Sequence, residues 1–223
     1  MHTFDTPAPI AAVLDIPAGR VRFIAADRPD TVVEILPADA SKGRDVQAAE
    51  QTTVRYGDGV LRIETAPAKY RVLGASGSLE VTVQLPAGSR IEAKAASAGF
   101  RCVGRLGDVA FEGSQGSVKI DEAAGARLTL LAGDVSVGRL GGPAEISTRK
   151  GDIRIAEAVR GTVVLRTEAG EISVGAARGV AATLHASTTY GRIHNVVGAV
   201  DGTGAHLDIH ATTAYGDITA RSL

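Results

Sequence analysis

The chain has no tryptophan, a single cysteine and only 4% aromatic residues across its 223 positions. A core without large rings must be assembled from Val, Ile, Leu and Ala, side chains that suit thin, strand-built layers. Cys102 has no second cysteine to pair with, which rules out an internal disulfide and agrees with a reducing compartment. Net charge is nearly absent as well, at −1. No strong field therefore recruits phosphate backbones or anionic lipid, and nucleic acid is not an expected partner. Long apolar runs are missing too: nothing approaches the roughly 18 residues of a membrane-spanning helix. Asp5, Pro7 and Pro9 also interrupt the first residues, where a secretory leader needs a basic start and an unbroken apolar stretch. The expectation is a cytoplasmic protein with no direct membrane insertion.

Glycine is abundant, at 27 residues. Frequent glycine implies frequent tight turns, and with few aromatics it points to many short strands. One five-residue phrase recurs: Gly, a polar residue, Val or Ile, any residue, then a further aliphatic. It reads GSLEV from Gly77, GSVKI from Gly116, GDVSV from Gly133, GDIRI from Gly151, GEISV from Gly170, GRIHN from Gly191 and GDITA from Gly216. AGFRC supplies Ala98 in the glycine slot, and GDVAF from Gly107 belongs to the opposite strand. The starts at 77, 98, 116, 133, 151, 170, 191 and 216 lie 21, 18, 17, 18, 19, 21 and 25 residues apart. This is a repeat loosened at both ends.

Seven, five and three positions before each glycine stand further aliphatic or small residues, such as Val163, Leu165 and Thr167, or Ile209, Ala211 and Thr213. Side chains two apart on a strand share a face, so both sets point to one interior, while Lys119, Ser136, Arg154, Ser173, His194 and Thr219 point outward. Two short strands and two turns in about nineteen residues make one flattened coil. Coils stacked at about 4.8 Å give eight layers spanning about 35 to 40 Å.

The expected fold is all-β: a single-stranded parallel β-solenoid, or β-helix-like stack of two-strand coils. The alternative is an antiparallel β-sandwich, which uses similar strands and turns. Residues 77–223 carry the repeats, and residues 1–76 read as a β-rich N-terminal cap continuous with them. AAVLDI, RVRFIAA, TVVEIL, TTVRYG and VLRIET are its strands, and Asp39 to Glu50 holds the one plausible short helix. LDIPAGRVRF and VQLPAGSRIEA, at Leu14 and Val83, resemble hairpins with Pro then Gly at the bend.

The GSLEVTVQLPAGSRIEAK opening, the serial Gly-acid-Ile phrases and the closing pair TTYGRIHN and TTAYGDI resemble a bacterial family of β-strand repeats named "putative adhesin" and also called the toastrack domain. The resemblance covers nearly the whole chain. It implies a solenoid-like scaffold with no established enzymatic activity, whose relatives belong to cell-envelope stress systems beside membrane-anchored partners. It brings no catalytic residues and no cofactor.

The candidate site residues cluster late. His185 and His210 each lie six residues before their turn glycine, so they share an outward slot in neighbouring coils, with His206 and Asp208 as further ligands if a metal is held. The plainer reading is a solvated outward face, and no metal is assigned. Tyr190 and Tyr215 directly precede their glycines and read as a stacked pair, able also to grip a sugar or a partner chain. Asp108, Asp134, Asp152, Glu171 and Asp217 follow turn glycines, where a carboxylate accepts backbone N–H groups. One acid per coil is too few for a calcium ladder. No pair is spaced for glycoside hydrolysis.

The function that follows is a non-enzymatic scaffold or interaction module binding a protein partner or itself. A carbohydrate-binding module or a carbohydrate-active β-helix enzyme is the alternative, with a glycan as ligand.

Overall fold

The computed structural model describes residues 1–66, 77–197 and 206–223. Among them are seventeen strands and one short helix: β1 (His2–Asp5), β2 (Ala11–Ala26), β3 (Asp30–Pro37), α1 (Gly43–Gln51), β4 (Thr52–Gly57), β5 (Val60–Thr65), β6 (Leu79–Pro86), β7 (Arg90–Gln115) and β8 (Val118–Ala132). They continue with β9 (Val135–Leu140), β10 (Ala144–Lys150), β11 (Ile153–Ala158), β12 (Gly161–Ala169), β13 (Ile172–Ala176), β14 (Ala181–Tyr190), β15 (Ile193–Val196), β16 (His206–Tyr215) and β17 (Ile218–Ser222). The result is a long, unclosed all-β assembly.

Each layer has one strand before its turn glycine and one after it, and equivalent strands pair in register. On one face the end of β8 pairs with β10, with Ile146 opposite Leu128, and β10 pairs with β12, with Ile146 opposite Leu165. On the other, the start of β8 pairs with β9, then β9 with β11 and β11 with β13, so that Ile153 lies between Val135 and Ile172. These pairings are parallel. Between the faces the inward rows are buried: Val135, Val137, Ile146, Ile153, Ile155, Val163, Leu165, Ile172 and Val174 have 1% exposure or less. Each such aliphatic contributes about 1.5–3 kcal/mol relative to exposure. Outward side chains pair charge across layers instead, as Arg139 does with Glu122 at 3.9 Å and Glu157 at 2.7 Å.

Gly116, Gly133, Gly151, Gly170 and Gly216 hold positive φ and leave no room for a Cβ, whereas Ala98 fills the same slot one layer earlier. Gly151 has φ +142°, and a Cβ there would lie 2.2 Å from the carbonyl oxygen of Gly133 in the layer below. At these glycines the backbone thus turns with neighbouring layers too close for any side chain.

The N-terminal strands fall where the patterning places them, and α1 overlaps the stretch expected to be helical, running one residue past its end. The two hairpin-like phrases are not hairpins. β2 passes through LDIPAGRVRF from one face to the other, with Gly19 at the corner (φ +135°). β6 and β7, joined through VQLPAGSRIEA, both pair in parallel with β2. A hairpin needs its two strands hydrogen-bonded to each other, whereas these take partners on opposite faces. Residues 11–26 therefore form a layer of the stack, lying directly on β7.

Around that layer β5 extends one face and β6 the other. The antiparallel pairs β4–β5, β3–β6 and β1–β3 then fold over the end. Phe4 of β1 meets Tyr56 of β4 with ring centroids 5.4 Å apart, joining the two flaps. Helix α1 packs on them through Ala48, and the buried Asp45 carboxylate accepts the Ser78 N–H at 3.0 Å. Ahead of α1, the Ser41 hydroxyl and then Lys42 hold the exposed Asp39 carboxyl down at about 2.

The opposite end departs from the expected order. β12 pairs with β16, not β14, and β13 pairs with β17. β14 and β15 then lie beyond β16 and β17. Residues 206–222 are thus slotted between the layer of 161–176 and the layer of 181–196. The cause lies in the inward slots. Residues 206–222 present Leu207, Ile209, Ala211, Ile218 and Ala220, all buried. In 181–196 the slot opposite Ala220 holds Asn195, whose Oδ1 accepts the Val197 N–H at 3.2 Å. A buried amide without full hydrogen bonding costs about 1–3 kcal/mol, so the layer free of such an amide takes the interior and the Asn-bearing layer the end.

Candidate functional site

The two interchanged layers carry the candidate residues, and local turn chemistry aligns them. Thr213 donates its hydroxyl to the carbonyl of Gly170 at 3.1 Å, and Thr188 donates to that of Gly216 at 3.0 Å. Thr167 does the same to Gly151 at 3.1 Å, so a threonine three residues before Gly170, Gly191 and Gly216 ties one layer to the next. Sequence reasoning read these threonines only as small inward residues. Their signal was a polar residue recurring in an otherwise aliphatic row, at one spacing from the glycine.

This ladder fixes the register of β14 on β16, with His185 opposite His210 and Tyr190 opposite Tyr215. The 25-residue final spacing does not break the alignment; residues 198–205 within it lie outside the described residues. The two tyrosine rings stack at 5.1 Å with an interplanar angle of 7°. Each ring covers one face of the other, leaving the outer face of the exposed Tyr190. Leu131, Ala169, Ala214 and Tyr215 border a shallow groove flanked by Arg149 and Glu168, which are paired at 3.1 Å.

The imidazoles of His185 and His210 also stack, at 4.8 Å and 14°. Asp208 is two residues before His210 and so on the same outward face. Its Oδ2 lies 2.9 Å from His210 Nε2, and its Oδ1 lies 3.5 Å from His185 Nε2. The longer approach is an ion-pair distance without hydrogen-bond geometry: Oδ1 is buried and has no hydrogen-bond partner among the described residues. One donor atom from each of His185, Asp208 and His210 lies within 4.8 Å of the others. His206, the fourth residue singled out from sequence, is not among them; it sits at the start of β16 beside Gly161 and Pro143.

Three of the turn carboxylates are engaged by backbone. Asp134 Oδ1 accepts the Asp152 N–H at 3.0 Å, Asp152 Oδ1 the Glu171 N–H at 2.8 Å, and Asp217 Oδ1 the Arg192 N–H at 2.8 Å. Each acid thus clips the equivalent residue of the adjoining layer. Asp108 lies on the opposite strand, 3.9 Å from Arg90.

With this geometry established, comparison with known proteins identifies the family. The family model described as "Toastrack DUF4097" matches residues 20–222. The chain belongs to the Toastrack family. No curated protein matches it. Similar solved structures include a "putative adhesin" from Bacteroides fragilis, at 12% identity over 98% of this chain and 95% of that one, with a TM-score of 0.48. Another "putative adhesin", from Parabacteroides distasonis, shows 16% identity over 100% and 95%, with a TM-score of 0.46. A "putative lipid binding protein" from the same species shows 13% over 98% and 95%, also at 0.46.

In this Toastrack chain Cys102 occupies an inward slot and is fully buried, and burial pushes its thiol far above the ordinary cysteine range. It packs as a small apolar residue. No helix among the described residues is long and apolar enough to cross a membrane.

Proposed function

We propose that the chain is a non-enzymatic interaction module: a single-stranded parallel β-solenoid, capped from within residues 1–76, that binds a partner protein by receiving a further β-layer on β14 and β15. One observation carries this. Ile193, an inward residue, is 45% exposed, whereas its equivalents Ile172 and Ile218 are 1% exposed. Beyond it, Val196 is 69% exposed, and among the described residues no strand pairs with the outer edge of β14 or β15.

An added layer would cover this row, at about 1.5–3 kcal/mol for each large aliphatic buried, and would satisfy free backbone groups at about 1 kcal/mol each. Residues 181–196 contain Arg192, His185 and His194 but no Asp or Glu. An acidic partner strand complements that edge. A second copy would set Arg192 near its own equivalent, so a different protein is favoured over self-association. The family resemblance gives the partner a setting, a membrane-anchored component of a cell-envelope stress system, with this chain on the cytoplasmic side.

The test is a photo-crosslinking residue at Val196, introduced into the full chain in its native cells, with a matched probe at Arg55 of the capped end. A discrete protein adduct at 196, absent at 55 and lost when Ile193→Lys is added, supports the reading. No adduct at 196, or one insensitive to Ile193→Lys, overturns it, and an adduct of two copies of the chain replaces the partner with self-association.

A further inference from the structure

We propose that the two interchanged layers hold a divalent transition-metal ion, with Zn²⁺ as the reference species, through His185, Asp208 and His210. The donor set is two imidazole nitrogens and one carboxylate oxygen, which suits zinc with a fourth position left to solvent. Zinc bonds of about 2.0–2.2 Å at tetrahedral angles place ligand atoms roughly 3.3–3.6 Å apart. The observed 3.5 Å contact falls within that range and the 2.9 Å contact lies just below it, and the 4.8 Å limit on the whole set leaves about 1 Å of adjustment. Both histidines are surface side chains, free to tilt toward a shared ion.

A second, independent observation points to a cation. Asp208 Oδ1 is shielded from solvent yet accepts no hydrogen bond from the described residues. A buried carboxylate oxygen in that state is unfavourable, and a metal ion bridging it to the histidines removes the deficit. A bare His–Asp ion pair would leave the oxygen as it is. Around the cluster, the residues opposite Asp208 are Thr162 and Thr183, and those opposite His210 are Val164 and His185, so none of these brings a lysine or arginine against it.

The topology gives the site a consequence. His185 belongs to the outermost layer, whereas Asp208 and His210 belong to the layer inserted beneath it. The ion would fasten β14 to β16 at the end of the stack where, among the described residues, no further strand holds it. This inference stands independently of the partner-binding reading.

The test uses the full chain, freed of metal with a chelator and titrated with zinc chloride by calorimetry and against a chromophoric competitor. The expected result is one zinc per chain, an affinity reduced at least tenfold in each of His185→Thr, His210→Thr and Asp208→Asn, and an unchanged affinity in His206→Asn. Zinc should also slow hydrogen exchange of β14 amides in the native protein and not in Asp208→Asn, which preserves the side-chain shape should a histidine variant fold poorly. Substoichiometric zinc, binding indifferent to Asp208→Asn, or binding lost in His206→Asn overturns the assignment.

Discussion

The two ends of the stack are built on opposite terms. At one, β1, β3, β4, β5 and α1 enclose the layer of residues 11–26, and Phe4 against Tyr56 joins the flaps. At the other, the layer of residues 181–196 rests on β16 and β17 with its inward Ile193 half uncovered. Both ends carry the same inward alternation, so alternation alone does not dictate burial. What differs is whether another element covers the row. Open parallel edges template further pairing, and among the described residues that is suppressed at one end only.

The sharpest way to break the contrast is to place a charge at equivalent inward slots. Ile172→Lys sets an unpaired ammonium in the buried row, and urea unfolding is expected to show a loss of about 3–5 kcal/mol or failure to fold. Ile193→Lys should cost less than about 1 kcal/mol, because that side chain already meets water. Equal losses would mean the second end is covered after all. Gly151→Ala comes next, at about 2–4 kcal/mol, since its φ of +142° and a 2.2 Å approach to the Gly133 oxygen exclude a methyl group. Gly179→Ala, at φ +74° with open space around it, should lose only about 1 kcal/mol by the same measurement. The smallest effect separates two threonines. Thr167→Ala removes a hydrogen bond between layers inside the stack and should cost about 1–1.5 kcal/mol, while Thr188→Ala, at the open end, should cost less than half of that.

Much of the architecture was legible because its signals are local. The alternation around Gly133, Gly151 and Gly170 reports the pleat directly, and the slot arithmetic placed His185 beside His210 and Tyr190 beside Tyr215 before any fold was known. Asp134, Asp152 and Asp217 were correctly read as backbone acceptors, although their donors lie one layer away instead of within the same turn, while Asp108 faces Arg90 instead. LDIPAGRVRF was misread because Pro-Ala-Gly serves a hairpin and a coil corner equally well, and only the partners of the flanking strands distinguish them. The placement of His206 outside the donor cluster was likewise invisible, since strand spacing gives a face and not a reach.

By itself the sequence determined which side chains point inward, where each layer turns and to which family the chain belongs, because these depend on residues a few positions apart and on glycine's steric freedom. Tertiary structure decided the order of the last two layers, and with it which inward row is left uncovered. Residues 181–196 and 206–222 carry nearly the same pattern and compete for one place against β12 and β13. That contest is won across space by the layer whose inward slots hold no Asn195.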